Sequence, residues 1–196
     1  MFIPNAWLAA IHDAFSCAFM DAVMGFITAT GNIGIIWIAC AVLMLCFRKT
    51  RRTGITLAVA LIFTVFLNNL TLKNLFARPR PFQVDPSIVL VIDPPGEFSF
   101  PSGHTSSAFA AAWALFRNDR QLGIPALVLA AFIGFTRLYL YVHFPTDILA
   151  GLAVGTLSAY IAWEIVRRFA GGEACHSRDE KHQLVQQRRV QCLQII

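Results

Sequence analysis

Three groups of polar residues interrupt a strongly apolar chain. They are Lys73-x6-Arg80-Pro81, then Pro101-Ser102-Gly103-His104, then Thr136-Arg137-x5-His143-x3-Asp147. Three cations, two histidines and a carboxylate suit phosphate chemistry. A phosphoryl group spreads its charge over several oxygens, and its transfer is catalysed mostly by positioning and electrostatic stabilisation. Arg80 and Arg137 can each give paired hydrogen bonds to such oxygens, and Lys73 adds a compact charge. Ser102-Gly103-His104 would open a helix, where free N–H groups and the positive dipole end favour an anion. Gly103 has no Cβ to hold a ligand away. Two histidines divide the work: one attacks phosphorus and the other protonates the leaving oxygen. Asp147 stands four residues after His143 and can reach its second ring nitrogen, so His143 is the candidate nucleophile and Asp147 its orienter. His104 has no nearby carboxylate in sequence and is the candidate acid.

These residues must be held by elements suited to lipid. The chain has 196 residues, 57% hydrophobic and 14% charged, against about 45–50% and about 25% for a soluble domain. Its mean hydropathy is +0.61. This excludes a disordered, collagen-like or nucleic-acid-binding chain, and the length allows one domain. A bilayer core needs about 20 apolar residues in helix. Five stretches are candidates: 31–47, 54–72, 104–116, 122–140 and 146–166. The third is short and rich in alanine and serine. Small residues let helices approach closely in lipid, so it belongs at the bundle centre. Residues 14–30 are apolar but contain Asp21, and a charge in mid-span is costly. They read as an interfacial helix with Trp7 as anchor; a sixth span is the alternative. The positive n-region of a cleaved signal peptide is missing. The expected fold is an all-α integral membrane bundle of about five transmembrane helices plus an N-terminal interfacial helix. It divides into 1–30, a membrane domain 31–168, and a basic tail 169–196. In the tail, residues 183–196 read equally as a basic amphipathic helix or as disordered.

Charge orients the bundle. Twelve of the sixteen basic residues fall between the first and second spans, between the third and fourth, or after the fifth. The positive-inside rule makes that side cytoplasmic. Lys73, Arg78, Arg80 and Arg137 fall at the opposite ends, so the three polar groups converge on the outer face. The segment 77–101, with six prolines, reads as an ordered outer loop. The five cysteines have neither paired nor metal-ligand spacing, so no disulfide framework and no zinc site is expected.

The three groups resemble the signature KxxxxxxRP, PSGH, SRxxxxxHxxxD of the type-2 phosphatidic acid phosphatase superfamily. The resemblance covers roughly 53–163 and departs at one position, Thr136, where the family usually has Ser. It implies a metal-independent phosphatase acting through a phosphohistidine, with His143 as nucleophile, Asp147 as orienter and His104 as acid. It also implies that Lys73, Arg80, Ser102, Gly103 and Arg137 hold the phosphate, with the Thr136 hydroxyl keeping its contact. The expected partners are a lipid phosphate or diphosphate and membrane lipids, not nucleic acid. Short bacterial members often act on undecaprenyl diphosphate, which makes that lipid the expected substrate. The expected location is a bacterial plasma membrane, with the site facing outward. Phosphatidylglycerophosphate and phosphatidate are the rival substrates, and a lipid phosphotransferase is the rival reaction. A lipid-binding protein without activity is the rival outside enzymology.

Simpler readings exist for single residues. Any one cation could be a headgroup anchor, His104 or Asp147 could cap a helix, and His143 could be a satisfied interface histidine. Arg78 reads as a loop or headgroup residue, and Asn68 and Asn69 as interhelical hydrogen-bond partners. Tyr139 and Tyr141 read as aromatic-belt residues, and Asp93 and Glu97 as solvated. His12, His176 and His182 receive no role.

Overall fold

The computed structural model describes residues 6–85 and 89–193. The side chains of residues 6, 7, 9, 11, 13 and 33, and those beyond 169, lie outside the described set. The Trp7 anchor and the face of the tail helix therefore fall outside it too. Among the described residues every regular element is helical. In chain order they are α1 (Ala6–Phe15), α2 (Ala18–Thr30), α3 (Ile35–Cys46) and α4 (Arg51–Thr64). A π-helical stretch over Val65–Leu72 leads into the one-turn helices α5 (Lys73–Phe76) and α6 (Pro81–Val84). The long helices α7 (Gly103–Asn118), α8 (Arg120–Tyr139) and α9 (Pro145–Leu193) follow. The chain divides into two compact units, Met1–Trp163 and Glu164–Ile196. The first contains every candidate site residue. Within the second, Arg167 and Arg168 pair with Glu164 at 2.9 and 3.6 Å.

Helix starts follow the local chemistry. Asp119 caps α8, accepting from the Gln121 N–H at 2.8 Å. Pro145 opens α9, where its missing N–H costs nothing. Asp147 reaches back to the Phe144 N–H at 2.9 Å, which is half of a capping box. Between α2 and α3 the turn Asn32–Gly34 breaks the apolar run, with Gly34 in the left-handed region at φ 68°.

The core gathers around α7. Ala108, Ala110, Ala111, Ala112 and Ala114 are fully buried among residues of α3, α4, α8 and α9. This is the central place expected for an alanine-rich helix. On the α9 side, a Cβ at Gly155 would lie 2.3 Å from the Ser106 carbonyl oxygen. One at Gly151 would lie 2.8 Å from the Ser102 carbonyl oxygen. Only glycine permits backbones this close.

Three described helical stretches are long and apolar enough to cross a bilayer: Arg51–Val84, Arg120–Tyr139 and Pro145–Phe169. They overlap the second, fourth and fifth expected spans. The α2–α3 pair, bent by 45°, makes a fourth if counted as one broken span. The third expected span, α7, has 16 residues. At about 1.5 Å per residue it falls short of a bilayer core about 30 Å thick. The Asp21 charge that argued against membrane depth is not left bare: its carboxylate accepts from the Tyr139 hydroxyl at 2.6 Å. Met24 and Thr28 of the same helix are buried. Tyr139 and Tyr141 are themselves buried, so neither belongs to an exposed aromatic belt.

Candidate active site

The three polar groups meet where α5, α6 and the starts of α7 and α9 come together with the end of α8. Two of them are tied by backbone, the Ser102 N–H donating to the Asp147 carbonyl at 3.0 Å. A Cβ on Gly103 would lie 3.6 Å from Lys73 Nζ, so the first group closes on the second. Lys73, Arg80, Arg137, His143 and Asp147 are all buried. His104 stands within electrostatic reach of Arg137, His143, Lys73 and Arg80.

Arg80 is held on four sides. Its Nε donates to the Glu97 carbonyl at 2.7 Å, Nη1 to the Val142 carbonyl at 2.9 Å, and Nη2 reaches the Phe98 carbonyl at 3.5 Å. Nη1 also stands 3.2 Å from His143 Nε2. A guanidinium only donates, so Nε2 must be the bare acceptor nitrogen and Nδ1 must carry the ring proton. Nδ1 faces Asp147 Oδ2 at 3.5 Å. That contact is longer than an ordinary hydrogen bond. Catalytic bonds are often long before substrate arrives and tighten afterwards. The chain turns sharply just before His143, with Tyr141 in the left-handed region at φ 55°. This is a strained conformation for a residue with a side chain.

Asp147 is buried and well served. Oδ2 accepts from Ser99 Oγ at 2.5 Å and from the Phe144 N–H at 2.9 Å. Oδ1 accepts from Arg78 Nη1 at 2.7 Å. Burial is the main force on His143, and it pushes the ring down to about 3. Asp147 pulls upward against that, while the Arg80 and Arg137 charges add to the depression. His143 is therefore a neutral imidazole at any physiological pH, with its lone pair on Nε2.

Arg137 completes the cation set. Its Nη1 donates to the Thr28 hydroxyl, and its Nε has no hydrogen-bond partner among the described residues. Lys73 pairs with the Glu97 carboxylate, whose side chain is 62% exposed. Glu97 is thus bound to the site rather than simply solvated. Burying several positive charges with little compensation is costly, and an anion in their midst would relieve it. No set of three or more His, Cys, Asp or Glu side chains that could hold a metal gathers among the described residues.

Ser102 caps α7, its Oγ accepting from the Thr105 N–H at 3.5 Å and also from the Thr105 hydroxyl at 3.0 Å. Thr136 does not face the cluster with a free donor, because its hydroxyl donates to the Ile133 carbonyl of its own helix at 2.7 Å. Asn68 is buried, and its Oδ1 accepts from Ser106 Oγ of α7 at 3.0 Å, the interhelical bond expected of it.

Several residues of the site lie outside the sequence pattern. Arg78 stacks over the Phe144 ring at 4.0 Å besides pairing with Asp147. Ser99 sits in the proline-rich loop with no spacing to mark it. Thr28 and Asn32 come from the N-terminal helices, more than seventy residues from their partners Arg137 and His104.

Residues 53–170 match the model of the PAP2 superfamily. The chain belongs to the PAP2 superfamily. Among its PAP2 relatives, it is 28% identical over 149 residues to the undecaprenyl-diphosphatase of Sulfolobus acidocaldarius, covering 76% of this chain and 71% of that protein. Two solved structures share its fold. LpxE of Aquifex aeolicus aligns with a TM-score of 0.72 at 25% identity, over 84% of this chain and 96% of that one. The PAP2-type phosphatidylglycerolphosphate phosphatase of Bacillus subtilis aligns at 0.63 and 26%, over 86% of each chain. With this PAP2 domain, these relatives and several apolar helices, the chain is an integral membrane lipid phosphatase.

Proposed function

We propose that this phosphatase hydrolyses undecaprenyl diphosphate to undecaprenyl phosphate through a phosphohistidine on His143. The observation that carries the mechanism is the pair of contacts on the His143 ring. Arg80 faces Nε2 and Asp147 faces Nδ1. Nε2 attacks the terminal phosphorus, and the P–O bond to undecaprenyl phosphate breaks. His104 gives its proton to that leaving oxygen. Asp147 stabilises the charge the His143 ring acquires. Water then attacks phosphorus, the now neutral His104 takes a proton from it, and the P–N bond breaks to free His143 and inorganic phosphate. Lys73, Arg80 and Arg137 hold the equatorial oxygens, with Ser102 and Gly103 at the start of α7 closing the phosphate seat. No metal or cofactor takes part.

The substrate reading rests on the undecaprenyl-diphosphatase relative. Likeness to the Bacillus subtilis phosphatidylglycerolphosphate phosphatase favours phosphatidylglycerophosphate as the second reading. The basic residues clustered at the opposite helix ends support a site on the outer face of a bacterial plasma membrane. The organisation into 1–30, 31–168 and 169–196 belongs to the same proposal.

The test follows phosphate release by detergent-purified protein in excess chelator. Undecaprenyl diphosphate, phosphatidylglycerophosphate and phosphatidate are compared, with His143→Ala as control. Undecaprenyl diphosphate is expected to turn over fastest and the variant to release nothing. A faster rate on another lipid reassigns the substrate. Loss of activity in chelator, or activity in His143→Ala, sinks the mechanism. Transfer of the phosphate to another acceptor in place of water makes the enzyme a phosphotransferase.

A further inference from the structure

The turn between α2 and α3 lies before the matched PAP2 region, yet it touches the candidate acid. His104 Nε2 stands 2.9 Å from Asn32 Oδ1. A Cβ on Gly31 would come within 2.9 Å of His104 Cδ2, and one on Gly34 within 3.7 Å of Ser107 Cβ. Two glycines thus bring this turn flush against the first turns of α7, and the residue between them that faces the ring is an amide. We propose that Asn32 is a positioning residue for His104, fixing which ring nitrogen handles the proton in both steps of the reaction. This rests on the reading of His104 as the acid.

The chemistry follows from the donor inventory. The Asn32 carbonyl oxygen accepts only, so Nε2 of His104 carries a hydrogen. Nδ1 has no partner among the described residues and is the nitrogen left for the substrate. When His104 is protonated, Asn32 holds the Nε2 proton and Nδ1–H is the one delivered to the leaving oxygen. When His104 is neutral, Asn32 keeps the proton on Nε2, so Nδ1 offers its lone pair to the attacking water. Without Asn32 the neutral ring can place its proton on either nitrogen, and one tautomer blocks the second step. The charged and titratable groups that face the ring are Arg137 of α8, His143 of the loop before α9, Lys73 of α5, and Arg80. Asn32 supplies the acceptor that the three cations cannot, and the His143 lone pair already faces Arg80.

The experiment measures kcat against pH for phosphate release from undecaprenyl diphosphate by the full-length protein, for Asn32→Ala and Asn32→Asp. Asn32→Ala is expected to lower kcat by about tenfold or more, a fraction of what general acid catalysis supplies. It should leave KM nearly unchanged and move the basic limb to lower pH, by about one unit. Asn32→Asp keeps an acceptor at the same reach and adds charge, so it should move that limb to higher pH. A basic limb that stays put in both variants overturns the proposal, whatever happens to the amount of folded protein. So does a rise in kcat for Asn32→Ala, which would mean that the amide sequesters the acid. If Asn32→Ala does not fold, the direction of the limb in Asn32→Asp decides alone. His143→Ala separates the two levels. If it still releases phosphate, the phosphohistidine reading fails. If it is inactive while both Asn32 variants keep the wild-type profile, only the role of Asn32 fails.

Discussion

At the scale of residues, the site is built from groups that cannot be satisfied without one another. Asp147 is reached by Ser99, Arg78, the Phe144 N–H and His143. Removing one donor from a buried carboxylate costs about 1–3 kcal/mol. Ser99→Ala and Arg78→Ala are each expected to lower kcat for phosphate release by about tenfold or more, given that range. Because both donors act on one carboxylate, the double variant should fall short of the product of the two losses. Unchanged kcat in both single variants would remove Asp147 positioning from their roles. The His143 ring carries a second prediction. In the unfolded chain it takes up a proton below its ordinary value of about 6.5, whereas in the fold it stays neutral down to about 3. Stability linked to this ring is complete above about pH 6.5 and is lost as pH falls toward about 3. Thermal unfolding in detergent should therefore fall less steeply between about pH 7 and about pH 4 in His143→Gln than in the wild type. Equal slopes would mean that the buried ring is not what acid attacks.

At the scale of elements, backbone proximity does the positioning. The starts of α7 and α9 carry the candidate acid and the orienter, and they are joined through Ser102 and Asp147. Gly151 and Gly155 let the two helices come close enough for that bond. A methyl group at Gly155 would sit 2.3 Å from the Ser106 carbonyl oxygen and 2.9 Å from Ala110 N. Backbone cannot step aside as a side chain can. Overpacking of this kind costs about 1–3 kcal/mol or more, so Gly155→Ala should lower the thermal midpoint measurably in detergent. It should also lower kcat, because the strain is passed to Ser102 and Asp147. Gly25→Ala, where an added Cβ meets nothing within 4 Å, is the control expected to leave both unchanged.

At the scale of the whole molecule, the sidedness of the charges makes the topology testable. Gly96 lies in the loop that carries Glu97, and a side chain there would meet open space. In a background with the native cysteines replaced, Gly96→Cys should react with a membrane-impermeant thiol reagent added outside intact cells. Labelling only after the cells are opened would put the site on the cytoplasmic face. The same experiment bears on substrate access, since a headgroup presented at the outer surface must meet Lys73, Arg80 and Arg137 from that side.

The sequence by itself determined the solvent, the helical class and the family. Each rests on composition, periodicity or a short local pattern. The nearness of His143 to Asp147 was also legible, because four residues at a helix start keep the two side chains close, although His143 itself lies in the turn before α9. What it did not determine were contacts between residues far apart in the chain. Arg78 and Ser99 have no spacing that links them to Asp147, and Thr28 and Asn32 have none that links them to Arg137 and His104. Asp21 looked like a charge stranded in an apolar run until α8 brought the Tyr139 hydroxyl to it. Glu97 looked like solvated loop until the chain returned it to Lys73. Only the tertiary structure decided these, because a buried polar group is satisfied by whatever the packing brings within about 3 Å, and local sequence says nothing of that neighbour.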